Sequence, residues 1–126
     1  MSKENWNVTT NAAKRTATLK VMGFLDADDA LAIGQAFMSF AAAVEQRPWA
    51  MISDLREMSL VSRDGQKQWV DNMVNLMGVG LKKWAVLNRS ANAALQSEVV
   101  AKTAQISEIT KLTTDEAEAR RWVEGV

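Results

Sequence analysis

Hydrophobic spacing in this chain switches repeatedly between a period of two and a period near 3.6, and that switching limits the folds open to it. Trp6, Val8 and Thr10 alternate with Asn5, Asn7 and Thr9, and Ala17, Leu19 and Val21 alternate with Thr16, Thr18 and Lys20. Both runs have the pattern of half-buried strands. The polar link Asn11-Ala12-Ala13-Lys14 suits a hairpin between them.

The pattern then becomes helical. Asp26 is placed to cap a helix, and Asp28 and Asp29 suit the positive end of its dipole. Ala30, Ile33, Phe37, Phe40, Ala41 and Val44 recur at three- and four-residue spacing. The spacing predicts a helix to about Gln46, because Arg47 precedes Pro48 and is pushed out of helical geometry.

Trp49 to Leu55 reads as a buried strand and Arg56 to Val61 as a loop. Ser62 is placed to cap a second helix carrying Trp69, Val70, Met73, Leu76 and Met77, which Gly78 and Gly80 end. Lys82 to Asn88 reads as another inner strand. Ser90 or Asn92 opens a third helix with Leu95, Val99 and Ile106 along one face, and a short strand follows near Glu108 to Leu112. Thr113 and Glu116 have the spacing of a capping box before a last helix whose inward stripe is Ala119, Trp122 and Val123.

These elements predict one α/β domain over residues 1–126, with a mixed five-stranded sheet. The sheet is mostly parallel with an antiparallel N-terminal edge strand, and right-handed crossovers put the helices mainly on one face. The polar residues of the first two strands imply that part of the other face meets water, as a surface open to binding.

Composition removes several chemistries. The 126 residues contain no cysteine and no histidine, so thiolate nucleophiles, disulfides and zinc ribbons are out, together with the commonest general base and transition-metal ligand. Fifteen basic and fifteen acidic residues cancel, which leaves no broad positive field for nucleic acid. The polar start Met1-Ser2-Lys3-Glu4-Asn5 lacks the apolar core of a secretory signal, so a cytosolic location is expected. The charge-free stretch Ala30 to Val44 covers about 22 Å as a helix, too short to span a bilayer.

Three phrases in order, Val21-Met22-Gly23-Phe24-Leu25-Asp26, Ile52-Ser53-Asp54-Leu55 and Val61-Ser62-Arg63-Asp64-Gly65, resemble the STAS or SpoIIAA-like family over nearly the whole chain. The ending Glu116-Ala117-Glu118-Ala119-Arg120-Arg121-Trp122-Val123 is similar to that of stand-alone SpoIIAA-like proteins. The resemblance implies a non-enzymatic regulatory domain that meets a protein partner at the turn before the second helix. The family carries Asp-Ser-Ser-Gly there, and its second serine is phosphorylated by a partner kinase. Here Ser62, Arg63 and Asp64 replace the first three and only Gly65 is retained. A carboxylate at 64 cannot accept phosphate and adds permanent negative charge. Ser59 and Ser62 are the neighbouring hydroxyls, and a helix cap is the simpler account of Ser62. The implied contact residues are Ser59, Ser62, Arg63, Asp64 and Gly65.

Other groupings have plainer readings. The acidic run at Asp26, Asp28 and Asp29 lacks the spread ligands of a calcium loop. Asp54, Glu57 and Asp64 approach one loop edge, without a nucleophile or metal to complete a catalytic site. Gly78-Val79-Gly80 lacks the rest of a dinucleotide fingerprint, and no cofactor is expected. Five tryptophans and seven methionines suit a core first, and a cavity for a small apolar, lipid-like ligand second. Ala32, Ala36, Ser39 and Ala43 form an uncharged stripe on the first helix, fit to meet either a neighbouring helix or a second copy of the chain in a homodimer.

Overall fold

Residues 2–126 are described by the structure, a computed structural model. The elements run β1 (Ser2–Lys3), β2 (Trp6–Asn11), β3 (Thr16–Leu25), α1 (Ala27–Ala43), β4 (Trp49–Val61), α2 (Arg63–Met77), β5 (Leu81–Leu87), α3 (Ala91–Thr103), a 3-10 turn (Ser107–Ile109), β6 (Thr110–Thr113) and α4 (Glu116–Val123). The strands form one sheet in the order β1-β2-β3-β4-β5-β6, antiparallel through β3 and parallel beyond it. This is the expected mixed sheet, with the two-residue β1 added outside the N-terminal strand.

Alternation along the strands sorts the side chains onto two faces. Leu19, Val21, Met51, Trp84 and Val86 are buried against Ile33, Phe37, Phe40, Met73 and Val100 of α1, α2 and α3. On the reverse face, Ala50, Ile52 and Ala85 receive Ala119 and Val123 of α4, with half-buried Trp122 and Val126 packed beside them. Three helices therefore cover one face and a single short helix covers part of the other. Beside α4, the residues of β2 and β3 that point away from the core, including Asn7, Thr9, Thr16, Thr18 and Lys20, stay exposed or half-buried as their polarity requires.

Several polar groups inside the larger core are paired, while the buried Trp6 indole N–H is without a hydrogen-bond partner. The Trp84 indole donates to Ser53 Oγ at 3.0 Å, and the Trp49 indole, packed on Phe37 and Phe40, donates to the Val79 carbonyl. Asn72 of α2 donates to the Ala30 carbonyl of α1 at 2.8 Å. Its side chain occupies the space a Cβ on Gly34 would need, at 2.4 Å from Asn72 Oδ1, so glycine at 34 lets the two helices meet.

Three expectations change. Arg56 to Val61 is strand, not loop: β3 continues past Lys20 and pairs with it from Met22↔Glu57 to Leu25↔Val61. Two register shifts in that stretch break the period-two pattern by which a strand is recognised. On α3, Leu95 and Val99 point outward, 59% and 41% exposed, while Ala93, Ser97, Val100 and Ala101 face inward. Small residues bring that helix close, and Ser97 satisfies its hydroxyl on the Ala93 carbonyl. The cap of α4 is Asp115, accepting from Ala117 N, rather than Thr113 with Glu116. Thr113 ends β6 and Glu116 turns to Arg56 and Arg120. Of the uncharged stripe on α1, Ala36 is buried and Ala32 half-buried against the main core, which is the within-chain alternative for these two, while Ser39 and Ala43 are exposed.

Candidate functional site

The β4–α2 turn stands at the carboxyl ends of the parallel strands, where β3 and β4 run on beyond β5. Ser62 holds it in place. Its backbone N–H donates to the Leu25 carbonyl at 2.9 Å, its carbonyl accepts from Gln66 N at 2.8 Å, and its hydroxyl accepts from Gly65 N at 3.0 Å. The extended backbone at Ser62 and that last bond are the geometry of a helix N-cap.

Gly65 is buried because α2 starts against the start of α1. A Cβ there would lie 2.9 Å from Ser62 Oγ and 3.2 Å from the Asp26 carbonyl carbon. Arg63 and Asp64 are exposed on the first turn, and Ser59 is exposed on β4. The structure thus brings Ser62, Arg63, Asp64 and Gly65 into one turn, with Ser59 three residues upstream on the adjoining strand.

Next to it, Asp26 and Asp29 form a reciprocal capping box at the start of α1. Buried Asp29 also receives Lys3 Nζ and Asn5 Nδ2, each at 2.9 Å. Burial alone would raise the Asp29 carboxyl, but the hydrogen bonds from Lys3, Asn5 and the Asp26 N–H together outweigh it and hold it below the ordinary carboxylate range. Asp26 and Asp29 are thus accounted for by helix capping and by this clamp on the first strand, while Asp28 stands exposed on the first turn of α1.

The other carboxylates are committed separately. Arg56 grips Asp54 through Nε and Nη2, at 3.0 and 2.8 Å, and reaches Glu116 of α4 at 2.9 Å. Burial would raise Asp54, yet hydrogen bonds and charge from Arg56 bring it below its usual value. Arg120, with Arg56 behind it, lowers Glu116. Glu57 pairs with Lys20 at 2.9 Å. Asp54, Glu57 and Asp64 therefore do not converge as an acid–base pair, and no cluster of acidic side chains suited to a metal occurs among the described residues.

Under α2 and α3 lies an apolar cleft lined by Leu25, Leu55, Met58, Trp69, Val100 and Gln96, with an inner void of about 30 Å³. That is room for about one or two waters and far below the several hundred Å³ of a typical ligand pocket. Trp49 and Trp84 are core residues, and Trp69 is the half-buried tryptophan of the cleft.

One feature of the surface was not legible beforehand. Phe24 and Leu60 are register partners on β3 and β4, and they are 48% and 52% exposed. The signal lay in the phrases Phe24-Leu25 and Leu60-Val61: of two successive apolar residues in a strand, one must face away from the core.

The topology and the placement of this turn define a SpoIIAA-like α/β fold. Among solved structures, the chain is similar to an uncharacterized protein of the DUF3478 family with a SpoIIAA-like fold from Shewanella loihica PV-4, at a TM-score of 0.68 and 16% identity over 98% of both chains. It is also similar to the anti-sigma factor antagonist SpoIIAA in its unphosphorylated form, with a TM-score of 0.65 and 20% identity over 96% of this chain and 99% of that one. An anti-sigma factor antagonist from Mycobacterium paratuberculosis matches with a TM-score of 0.62 and 18% identity over 97% of each chain. No family model and no curated protein matches the sequence. No helix among the described residues is long and apolar enough to cross a membrane.

Proposed function

We propose that this chain is a non-enzymatic regulatory domain that presents the turn at Ser62, Arg63, Asp64 and Gly65, with Ser59 beside it, to a protein partner. We further propose that it does so without the serine phosphorylation switch of SpoIIAA-like proteins. One observation carries the reading: the Ser62 hydroxyl is spent on capping α2 while Asp64 stands exposed two residues past the cap. The turn is held rigid from within and offers a fixed pair of opposite charges outward. The likeness to anti-sigma factor antagonists supports the fold of such a domain.

A photo-crosslinking side chain placed at 63 tests it, with one at Lys82, at the opposite end of the sheet, as control. A single protein adduct at 63, absent at 82, with no phosphate increment on Ser59 or Ser62 in the intact mass, is the expected result. Equal labelling at both positions, or phosphate on either serine, contradicts it.

A second reading is a carrier of a small apolar ligand: the apolar lining of the cleft suits such a ligand, and its void of about 30 Å³ would have to enlarge to admit one. Native mass spectrometry separates the two, since a carrier retains a ligand mass through purification.

A further inference from the structure

We infer that the tip of the β3–β4 pair is an apolar anchor beside an excess of unpaired carboxylates, built to receive a basic protein segment that carries a large apolar side chain. This rests on the reading of the adjoining turn as the partner surface and names the chemistry of the partner.

Leu25 and Val61 pack toward the core, so Phe24 and Leu60, one residue earlier on each strand, stand on the other face. In a parallel pair such register partners lie side by side, giving a joined apolar surface with about half of each side chain exposed. Sheet propensity alone does not require these residues to be large and apolar, because the same face of β2 and β3 elsewhere carries Asn7, Thr9, Thr18 and Lys20. An exposed aromatic and an exposed leucine amid polar neighbours have the make-up of an interface anchor.

The charges around them select the occupant. Asp26 follows Phe24 by two residues, Asp28 lies on the first turn of α1, and Asp64 lies on the first turn of α2 next to Gly65, which approaches the Asp26 backbone. All three are exposed, and none has an ion-pair partner among the described residues. Lys3, close to Asp26 and Asp28, is taken by Asp29, and Lys20 by Glu57. Arg63 and, one turn along α2, Lys67 are the exposed cations without an ion-pair partner nearest the turn among the described residues, so the three carboxylates exceed them by one charge in a chain whose net charge is zero. Nucleic acid and anionic lipid are repelled from such a surface, and so is a second copy presenting the same patch. A cationic segment is attracted, and its apolar side chain finds the Phe24–Leu60 pair.

The probes are a synthetic peptide alternating lysine with leucine, a glutamate–leucine counterpart and a lysine–serine counterpart, each titrated into the full chain by amide NMR. The lysine–leucine peptide is expected to shift residues 22–28 and 57–65, with affinity falling as salt rises, while the other two bind at least tenfold more weakly. Phe24→Ser with Leu60→Ser should weaken binding at least tenfold at unchanged thermal unfolding. Shifts that stay at 62–65 but ignore the double variant overturn this inference and leave the proposed function standing. Shifts confined to the groove between α2 and α3 near Val70 and Val99 overturn both. Absence of binding, or a concentration-dependent dimer in sedimentation abolished by the double variant, overturns the basic-partner assignment.

Discussion

Ser62→Ala separates a hydroxyl that holds the fold from one that serves as a modification site. The substitution removes a single acceptor, Ser62 Oγ, from the Gly65 N–H at 3.0 Å, and leaves the backbone bonds of Ser62 to Leu25 and Gln66 in place. Loss of an N-cap hydroxyl costs roughly 0.5–2 kcal/mol. Ser62 is half-buried, so water replaces the lost acceptor only in part, and the middle of that range, about 1 kcal/mol, applies. For a chain of this size that lowers the melting midpoint by roughly 3–5 °C. Urea unfolding of a short series gives the diagnostic order. Asn at 62 should match wild type, Gly should lose a few tenths of a kcal/mol, and Ala about 1 kcal/mol. If Ala, Gly and Asn are all indistinguishable from Ser, the hydroxyl does not cap α2, and the argument that Ser62 is occupied structurally is refuted.

Gly34→Ala gains up to about 1 kcal/mol of helix propensity. It also forces Asn72 from its buried bond to Ala30, so a net loss of about 2 kcal/mol is expected in denaturant unfolding, recovered in part by adding Asn72→Ala. Asp64→Ser should keep the fold and lose about 0.5 kcal/mol, since it takes a carboxylate from the positive end of α2. Ala36→Glu places a carboxylate in the core and should cost several kcal/mol, while Ser39→Glu on the exposed side leaves stability unchanged and is the proper probe of self-association by sedimentation. Asp29, Asp54 and Glu116 have folded-state values below their unfolded ones. The unfolded chain therefore takes up more protons in acid, and their stabilisation, complete above about pH 5, is lost progressively as pH falls. Arg56→Leu should flatten that acid limb, and an unchanged slope would show that Asp54 and Glu116 do not depend on it.

Legibility in the sequence followed periodicity and capping chemistry. The long helix with Asp26 as its cap, the second with Ser62 and the alternating strands all come from short-range rules, and the structure places them with bounds shifted by a few residues. What was hidden depends on long-range pairing. The strand at Arg56 to Val61 exists because β3 reaches beside it, and its bulges erase the alternation that would announce it. Leu95 and Val99 mislead because large apolar residues are read as inward, whereas α3 approaches through alanines and a serine. Thr113 and Glu116 have the right spacing for a cap, but Asp115 stands nearer the helix start and Arg56, sixty residues away, claims Glu116. At the site, the turn and its cap were legible, while the Phe24–Leu60 surface needed the register of two distant strands.

Amide hydrogen exchange on the chain, alone and with the partner recovered through the crosslink at position 63, measures the contact surface directly. Slowed exchange over residues 59–65, extending to 22–28 and absent from α4 and the open half of the sheet, is what a partner-facing SpoIIAA-like turn requires. Protection confined to α3 or to the groove beside α4, with 59–65 exchanging as in the free chain, would contradict it.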